Sequence, residues 1–406
     1  MMSKTFCTLP WIHLATHPYG GVTLCCVSDM TDAKNTSRNY GEGYTEYLNL
    51  NKNSLSEIMN SDYYKEVRKQ FLNGEVPEAC TRCFNEEQNG IRSKRIEENE
   101  NYSHFTYSDA IKTTKEDGTI PTDLKFIELR LGNLCNVKCR SCNPASSTKW
   151  VKEYDEVEKE LDFVQSYKDV KGNEHYNWPE KDEFWEDLFK HSKKVEWIYI
   201  NGGEPTLMKK HWEYLDKLVE SGLSKDISLW YSINMTNIPP KTFEVWNHFK
   251  NIRVSCSIDD LDKRNFYLRY PTKWDSVLSN IKLLMDNKNL DVSVCQTISF
   301  LNVFYIDEFY DFFTNKLGLH IHQNYVYDPN FLSPWILPTS IKKNILKKCK
   351  SVMNTLDYSL LSNTLLNNSS DKKLLSQGIQ YNKFLDGLRN EKVTDTFSEL
   401  FEKLND

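Results

Sequence analysis

Three closely spaced cysteines are the residues of this sequence best suited to chemistry. Cys135, Cys139 and Cys142 lie in the run Leu-Gly-Asn-Leu-Cys-Asn-Val-Lys-Cys-Arg-Ser-Cys-Asn. Structural zinc sites and most ferredoxin-type clusters take four protein ligands, whereas this motif supplies three thiolates. A cuboidal iron–sulfur cluster held by three thiolates leaves one iron open to a ligand that is not protein. The alternative is a zinc site completed by a distant His or Cys.

The elements around these cysteines predict where they lie. The motif follows a strand-like stretch at residues 124–131, so it falls on the loop that leaves the strand's C-terminal end. In α/β folds this is the end that carries chemistry. A second motif, Gly202-Gly203-Glu204-Pro205, follows the next strand-like stretch at 195–201. Adjacent glycines let the backbone approach a ligand closely, although a Gly-Gly turn alone is weak evidence.

Together the two motifs resemble the radical S-adenosylmethionine (SAM) superfamily, over roughly residues 124–328. The resemblance implies that the three thiolates hold a [4Fe-4S] cluster and that SAM chelates its fourth iron. It also implies reductive cleavage of SAM to a 5′-deoxyadenosyl radical, which abstracts a hydrogen atom from the substrate. Matching positions expected to contact SAM are Asn143, Gly202, Gly203, Glu204, Pro205, Ser232, Asn234, Ser257, Asp259 and Arg269.

The resemblance is incomplete at two positions. Ser141 stands where the family usually has an aromatic residue, and Asp260 stands where it often has glycine. We expect function to survive at position 141, because in the family the backbone there faces the adenine while the side chain packs. An arginine such as Arg269 can pair a carboxylate bidentately, but an arginine between tyrosines can equally be a surface or packing residue.

Five further cysteines are concentrated before residue 100. Cys7, Cys25, Cys26, Cys80 and Cys83, with their flanking Pro, Gly and Trp residues, resemble the SPASM/twitch domain. The resemblance implies an auxiliary [4Fe-4S] cluster ligated by Cys7, Cys25, Cys80 and Cys83, and the choice between Cys25 and Cys26 is open. Here the region precedes the SAM motifs, whereas the familiar order is the reverse. Four cysteines are also a common zinc set, so a zinc knuckle is the alternative.

The hydrophobic pattern predicts an α/β fold, a partial (β/α)6 TIM-like barrel with a small N-terminal α+β iron–sulfur domain and a C-terminal helical extension. We expect residues 1–100 to form the auxiliary-cluster domain, 101–123 a linker, 124–330 the partial barrel and 331–406 the helical region. The six predicted barrel strands are 124–131, 195–201, 227–234, 252–258, 290–299 and 320–326. Shorter strands are predicted at 11–17 and 22–26.

Composition limits the partners and the compartment. The formal net charge is -6 with scattered Lys and Arg, which argues against nucleic-acid binding. No apolar run reaches the roughly 20 residues that span a bilayer, and the N-terminus lacks a signal-peptide core. We therefore expect a cytoplasmic protein without a membrane partner. The eleven cysteines are then not expected to form disulfides.

The resemblance favours a radical SAM enzyme that oxidatively modifies a peptide or protein. Such an enzyme would be classed as an oxidoreductase or as a peptide-modifying enzyme. One alternative is a radical SAM dehydrogenase of a small molecule, and another is a non-enzymatic zinc-binding adaptor. A reducing donor such as flavodoxin or ferredoxin is the expected electron source. No motif isolates a general base among the many Asp and Glu residues.

Overall fold

Ten strands occur in residues 4–28 and 48–405, which are the residues that this computed structural model describes. They are β1 His13–Thr16, β2 Val22–Thr23, β3 Phe126–Leu131, β4 Lys138–Cys139, β5 Trp197–Gly202, β6 Ser228–Ile233, β7 Ile252–Ser257, β8 Arg269–Tyr270, β9 Leu290–Ile298 and β10 His320–Tyr325. Most of the longer strands are rich in Ile, Val, Leu and aromatic residues, which favour a pleated, half-buried surface.

Eighteen α-helices occur in the same described residues. They are α1 Leu9–Ile12, α2 Leu55–Met59, α3 Asp62–Leu72, α4 Thr81–Gln88, α5 Lys94–Asn101, α6 Tyr107–Thr113, α7 Val151–Glu160, α8 Asp182–Lys190, α9 Lys209–Glu220, α10 Lys241–Trp246, α11 Asp262–Leu268, α12 Trp274–Met285, α13 Ile306–Tyr310, α14 Thr339–Lys348, α15 Tyr358–Leu366, α16 Lys372–Arg389, α17 Val393–Thr396 and α18 Ser398–Asn405. A π-helical segment, Asp311–Lys316, continues α13.

The chain divides into two units, and the first comprises Met1–Leu134, Gly172–Trp230 and Phe243–Asn251. Its strands follow the order β5-β3-β1-β2. β3 pairs in parallel with both β5 and β1, and β2 is antiparallel to β1. Alternate side chains of β3 and β5 are fully buried on one face of the sheet, and they include Ile127, Leu129, Ile198 and Ile200. Because β3 and β5 are parallel, their C-terminal ends lie at the same edge.

The second unit comprises Cys135–Lys171, Tyr231–Thr242 and Ile252–Asp406. Strands β7, β9 and β10 are parallel, and β9 lies between the other two. Val254, Cys256 and Val294 are fully buried on one face. A separate antiparallel pair joins β4 to β8, with Cys139 opposite Arg269. β6 begins in the first unit and ends in the second.

The predicted α/β class with mainly parallel strands is confirmed. Each of the six predicted barrel strands is present, with ends displaced by no more than two residues. The domain boundaries stay a prediction, and residues 29–47 of the predicted N-terminal domain lie outside the described residues.

Several local predictions are wrong. Residues 11 and 12 belong to helix α1 rather than to a strand, because Pro10 at the start of that helix suits a first helical turn. The segment 101–123, whose role as a linker stays a prediction, contains helix α6, which begins with a capping box formed by Thr106 and Asp109. Helix α8 was not predicted, and β2 ends at Thr23 rather than at residue 26.

Within the described residues, none of the helices is both long and apolar enough to cross a lipid bilayer.

Candidate functional site

Three thiols are packed together in the second unit. Cys135 and Cys139 are 6% and 7% exposed, they lie in one apolar cluster with Val137, and Cys142 packs against that cluster. They lie in a segment that includes the short strand β4, and residues that follow this segment hold its backbone. The Trp150 indole donates to the carbonyl oxygen of Cys139 at 3.0 Å. The Ser147 hydroxyl donates to the carbonyl oxygen of Val137 at 2.6 Å.

The surroundings of these thiols disfavour a free thiolate. Burial raises the pKa of Cys139 to about 12, and the Arg269 guanidinium opposes this rise. Burial also raises the pKa of Cys142, and the neighbouring thiols Cys139 and Cys135 add to the rise. Buried thiols of this kind ionise when a cationic centre binds them. Three sulfur donors packed together, two of them buried and Cys142 partly buried, therefore suit an iron–sulfur cluster.

A buried ion pair includes the residue that pairs with Cys139 across β4 and β8. Arg269, paired with Cys139 across β4 and β8, donates from Nη1 to Asp259 Oδ2 at 3.2 Å. The backbone N–H of Thr297 donates to Asp259 Oδ1 at 3.0 Å and fixes that carboxylate. Arg269 Nε is buried and has no hydrogen-bond partner within the described chain. A buried donor without a partner is costly, so this N–H suits an anionic ligand such as the carboxylate of SAM.

Asn234, the residue after β6, ties this strand to the cysteine loop. Its Nδ2 donates to Asn136 Oδ1 at 2.7 Å and lies 4.0 Å from Cys135 Sγ. Its Oδ1 accepts from the backbone N–H and the hydroxyl of Thr236 at 3.0 and 2.6 Å. Asn234 therefore supports the loop.

The remaining predicted SAM contacts of the second unit lie at strand or loop ends. Ser232 lies in β6 and Ser257 is the last residue of β7, and both are partly buried. Asn143 follows Cys142, and its Oδ1 accepts from the backbone N–H of Ala145 at 3.0 Å. This contact forms an Asx turn directly after the third cysteine of the motif.

In the first unit, the Gly202–Pro205 loop packs on the residue that precedes Cys135 in the chain. Gly202 ends β5 with φ of 135°, a conformation that favours glycine. A Cβ atom at Gly203 would lie 2.2 Å from the carbonyl oxygen of Leu134. The backbone N–H of Glu204 donates to that same oxygen at 2.7 Å. The two glycines therefore bring the loop backbone against the start of the cysteine motif.

The Glu204 carboxylate has a local structural role. It is 3% exposed, and its Oε1 accepts from the hydroxyl of Thr206 at 2.7 Å and from the backbone N–H of Thr206 at 3.2 Å. The side chain thus caps the turn that begins at Pro205.

Four cysteines of the N-terminal region line one pocket of the first unit. Cys7, Cys25, Cys80 and Cys83 form its wall, which encloses about 340 Å³, including space open to solvent. Cys26 is exposed and is not part of this wall. Four thiols facing one space suit a cluster whose irons are all ligated by protein.

Backbone amides and cations surround these four thiols. Burial raises the pKa of Cys7 and Cys25 to about 12, and hydrogen bonds from the backbone N–H groups of Leu9 and Val27 oppose the rise. Lys94 and Arg95 also line the pocket. Hydrogen bonds to sulfur and nearby charge are the features that tune iron–sulfur clusters.

No group of three or more His, Cys, Asp or Glu side chains in the described ranges is arranged to hold a single metal ion. Thiols around a four-iron cube stand further apart than thiols that share one ion, so this observation concerns single-ion sites.

Sequence reasoning missed the partners of these cysteines. It singled out Asp259 and Arg269 separately, but did not anticipate their ion pair or the strand pairing that places Arg269 opposite Cys139. It also missed Lys94 and Arg95. The only available signal for these two residues was their position shortly after Cys83. Two adjacent basic residues at that position ordinarily indicate the solvent-exposed start of a helix.

Comparison with protein families gives two matches. Residues 129–314 match the radical SAM superfamily, and residues 7–84 match an iron–sulfur cluster-binding domain, SPASM. The first match contains the three-cysteine motif and the glycine loop, and the second spans the four pocket cysteines. A comparison with curated proteins gives no match.

Comparison with solved structures gives distant relatives. Native anSMEcpe with bound AdoMet is 17% identical, with a TM-score of 0.40, over 61% of this chain and 63% of that chain. Streptococcus suis SuiB bound to precursor peptide SuiA is 15% identical, with a TM-score of 0.37, over 73% and 62%. The chain thus spans less than two thirds of these two relatives. It contains a segment that matches the radical SAM superfamily, preceded by a region that matches the SPASM domain, and these two matches imply a [4Fe-4S] cluster, SAM and an auxiliary iron–sulfur cluster as its cofactors.

Proposed function

We propose that this protein catalyses the oxidative modification of a peptide or protein, beginning with hydrogen abstraction from an unactivated carbon. The observation that carries the proposal is the closely packed trio of thiols at Cys135, Cys139 and Cys142 next to a buried Arg269 with an unused N–H. Three thiols and one free donor together provide what a cluster with an open iron and its carboxylate-bearing ligand need.

The three cysteines would hold the cluster, and Arg269 would bind the SAM carboxylate. When bound, these cofactors supply a one-electron cleavage that produces methionine and a 5′-deoxyadenosyl radical. Asp259 holds the Arg269 guanidinium in place, since its two oxygens are engaged by Arg269 and by the backbone of Thr297. The burial of both charged residues keeps water from the site, which protects a reactive intermediate.

The four-thiol pocket supports an oxidative outcome. Removal of a hydrogen atom leaves a substrate radical, and completing a two-electron oxidation requires loss of a further electron and a proton. A second cluster saturated by Cys7, Cys25, Cys80 and Cys83 has no open iron for SAM, so electron transfer is the role that suits it. The family resemblance of this region favours a peptide or protein over a small molecule.

The first experiment tests the cluster assignment. Protein reconstituted without oxygen should contain about eight irons and eight sulfides, two cubes' worth, and should form 5′-deoxyadenosine with dithionite and SAM. Cys139→Ala should abolish the product, because only two thiolates would then remain to hold the cluster. Cys349→Ala is the matched control, since Cys349 is equally buried but belongs to neither site. Product formation by Cys139→Ala, or zinc without sulfide, would refute the proposal.

The second experiment tests the substrate class. A cell extract labelled with deuterium is divided by ultrafiltration into macromolecules and small molecules, and each fraction is given to the reconstituted protein. Deuterium in 5′-deoxyadenosine from the macromolecular fraction, lost after protease treatment, would support a peptide or protein. Deuterium from the small-molecule fraction alone would overturn that assignment and favour the dehydrogenase alternative.

A further inference from the structure

Arg140, between the second and third cysteine of the motif, is a buried cation with every donor occupied. It is 2% exposed. Nε donates to the carbonyl oxygen of Tyr267 at 3.0 Å. Nη1 donates to the carbonyl oxygen and to Oδ1 of Asn382 at 3.1 and 3.2 Å. Nη2 donates to Asp386 and Glu391 at 2.8 Å each. All five N–H groups of the guanidinium therefore have acceptors.

The acceptors are themselves fixed in position. The Tyr267 ring lies 3.5 Å from the Arg140 guanidinium, which stacks on it. The Tyr267 hydroxyl donates to Asp386 Oδ1 at 2.8 Å, and the backbone N–H of Val393 donates to Asp386 Oδ2 at 2.6 Å. A displacement of Arg140 would therefore break several hydrogen bonds at once.

Most of these contacts come from one face of α16. Tyr381, Asn382, Asp386 and Arg389 follow helical spacing and are buried, whereas a buried helix face is ordinarily apolar. The Tyr381 hydroxyl donates to the backbone carbonyl oxygen of Arg140 at 3.1 Å. The helix thus grips both the side chain and the backbone of the residue after Cys139.

The residue before Cys139 is tied to the same helix through one intermediary. Lys138 forms an ion pair with Glu153. Glu153 also accepts from Arg389 Nε at 2.7 Å. The Arg389 guanidinium lies 4.8 Å from the ring of Trp150, whose indole donates to the carbonyl oxygen of Cys139. Both neighbours of the central cysteine are therefore anchored to α16.

A buried ionic network of this kind is a poor means of gaining stability, because desolvation of its charges offsets their attraction. Its advantage is a unique geometry. We propose that α16 fixes the position of the cluster-binding loop, with Arg140 as the positioning residue and Tyr381, Asn382, Asp386 and Glu391 as its partners. We call these five residues the loop clamp. The inference rests on the proposed cluster at the three cysteines.

The test uses the full chain with Cys80→Ala and Cys83→Ala, so that the remaining iron reports the three-cysteine site alone. This parent should bind about four irons and show a change in its electron paramagnetic resonance spectrum when SAM is added. Arg140→Met should lose at least half of this iron. Arg140→Lys keeps the charge but cannot reach every acceptor, so it should retain more iron than Arg140→Met does.

Tyr381→Phe keeps the test decisive if the arginine variants fail to fold. It removes one hydroxyl from the loop clamp and should weaken SAM binding at least threefold, measured by the spectral titration. Tyr358→Phe is the matched control, because it removes a hydroxyl that donates to the Leu346 carbonyl oxygen at 3.3 Å, outside the loop clamp.

The outcomes separate this inference from the proposed function. If the parent takes up no iron and sulfide, both are overturned. If the parent is normal but Arg140→Met keeps its iron and its SAM-dependent spectrum, only the loop clamp is refuted. The same follows if Tyr381→Phe and Tyr358→Phe bind SAM equally.

Discussion

Replacing Gly203 by alanine should separate the glycine loop from the start of the cysteine motif. The added Cβ would lie 2.2 Å from the carbonyl oxygen and 2.6 Å from the carbonyl carbon of Leu134. Ordinary contacts begin at 3.4 Å, so the two backbones must separate by about 1.2 Å (3.4 minus 2.2). Both atoms belong to the backbone, so no side-chain rotation can relieve the clash.

The cost follows from the overpacked contact, which is worth about 1–3 kcal/mol. If the loop must return to its original position to bind SAM, at most this amount is lost from binding, because the hydrogen bond from Glu204 to Leu134 re-forms as the clash returns. That loss corresponds to a roughly 5- to 150-fold weaker affinity.

The assay is a SAM titration of anaerobically reconstituted protein, with iron content measured alongside. Gly387→Ala is the control, because a Cβ at Gly387 meets no atom within 4 Å and should leave the affinity unchanged. If Gly203→Ala holds its iron and binds SAM within a factor of about three of the unmodified chain, the loop is not a SAM-binding element and the reasoning fails.

Three further predictions concern the auxiliary site, the SAM carboxylate and acid stability. Cys25→Ala should lower the iron content by up to about four atoms while Cys26→Ala should not, because only Cys25 lines the four-thiol pocket; equal losses would contradict this. Arg269→Lys should weaken SAM binding at least about tenfold, since an ammonium cannot replace a bidentate guanidinium, and unchanged binding would exclude the carboxylate contact. Burial lowers the pKa of His13 to about 3, so its contribution to stability is present above about pH 6.5 and is lost as the pH falls toward 3. The free energy of unfolding, measured with urea, should therefore fall by about 2 kcal/mol less between about pH 7 and pH 5 in His13→Phe than in the unmodified chain. An unchanged pH dependence would show that His13 does not titrate on unfolding.

Periodicity predicted most of the fold. The strands that became β3, β5, β6, β7, β9 and β10 are apolar and bounded by turn signals, so local pattern was sufficient. It failed at α1, where apolar residues match either element and Pro10 decides. It also failed at α6 and α8, whose polar composition suggested a loop, although capping and amphipathic signals were present.

The candidate cysteines and glycines can be picked out from the sequence, but the contacts that support them cannot. Three thiols on a strand-exit loop are visible in the sequence, since their spacing is local. The pairing of Arg269 with Asp259 is not, because it depends on β8 lying against β4. The polar residues of α16 recur at helical spacing and form a stripe along the helix. Polar stripes ordinarily face water, so the sequence alone would place this buried stripe on the solvent-exposed side.

The parallel pairing of β1 with β3 affects how the N-terminal region can be made. His13 Nδ1 meets the carbonyl oxygen of Phe126 across a sequence separation of 113 residues. During synthesis, one edge of β1 therefore stays open until β3 has left the ribosome, and contacts this distant in sequence form slowly. A fragment ending at residue 123 would contain all four pocket cysteines and yet present an uncovered strand to its neighbours.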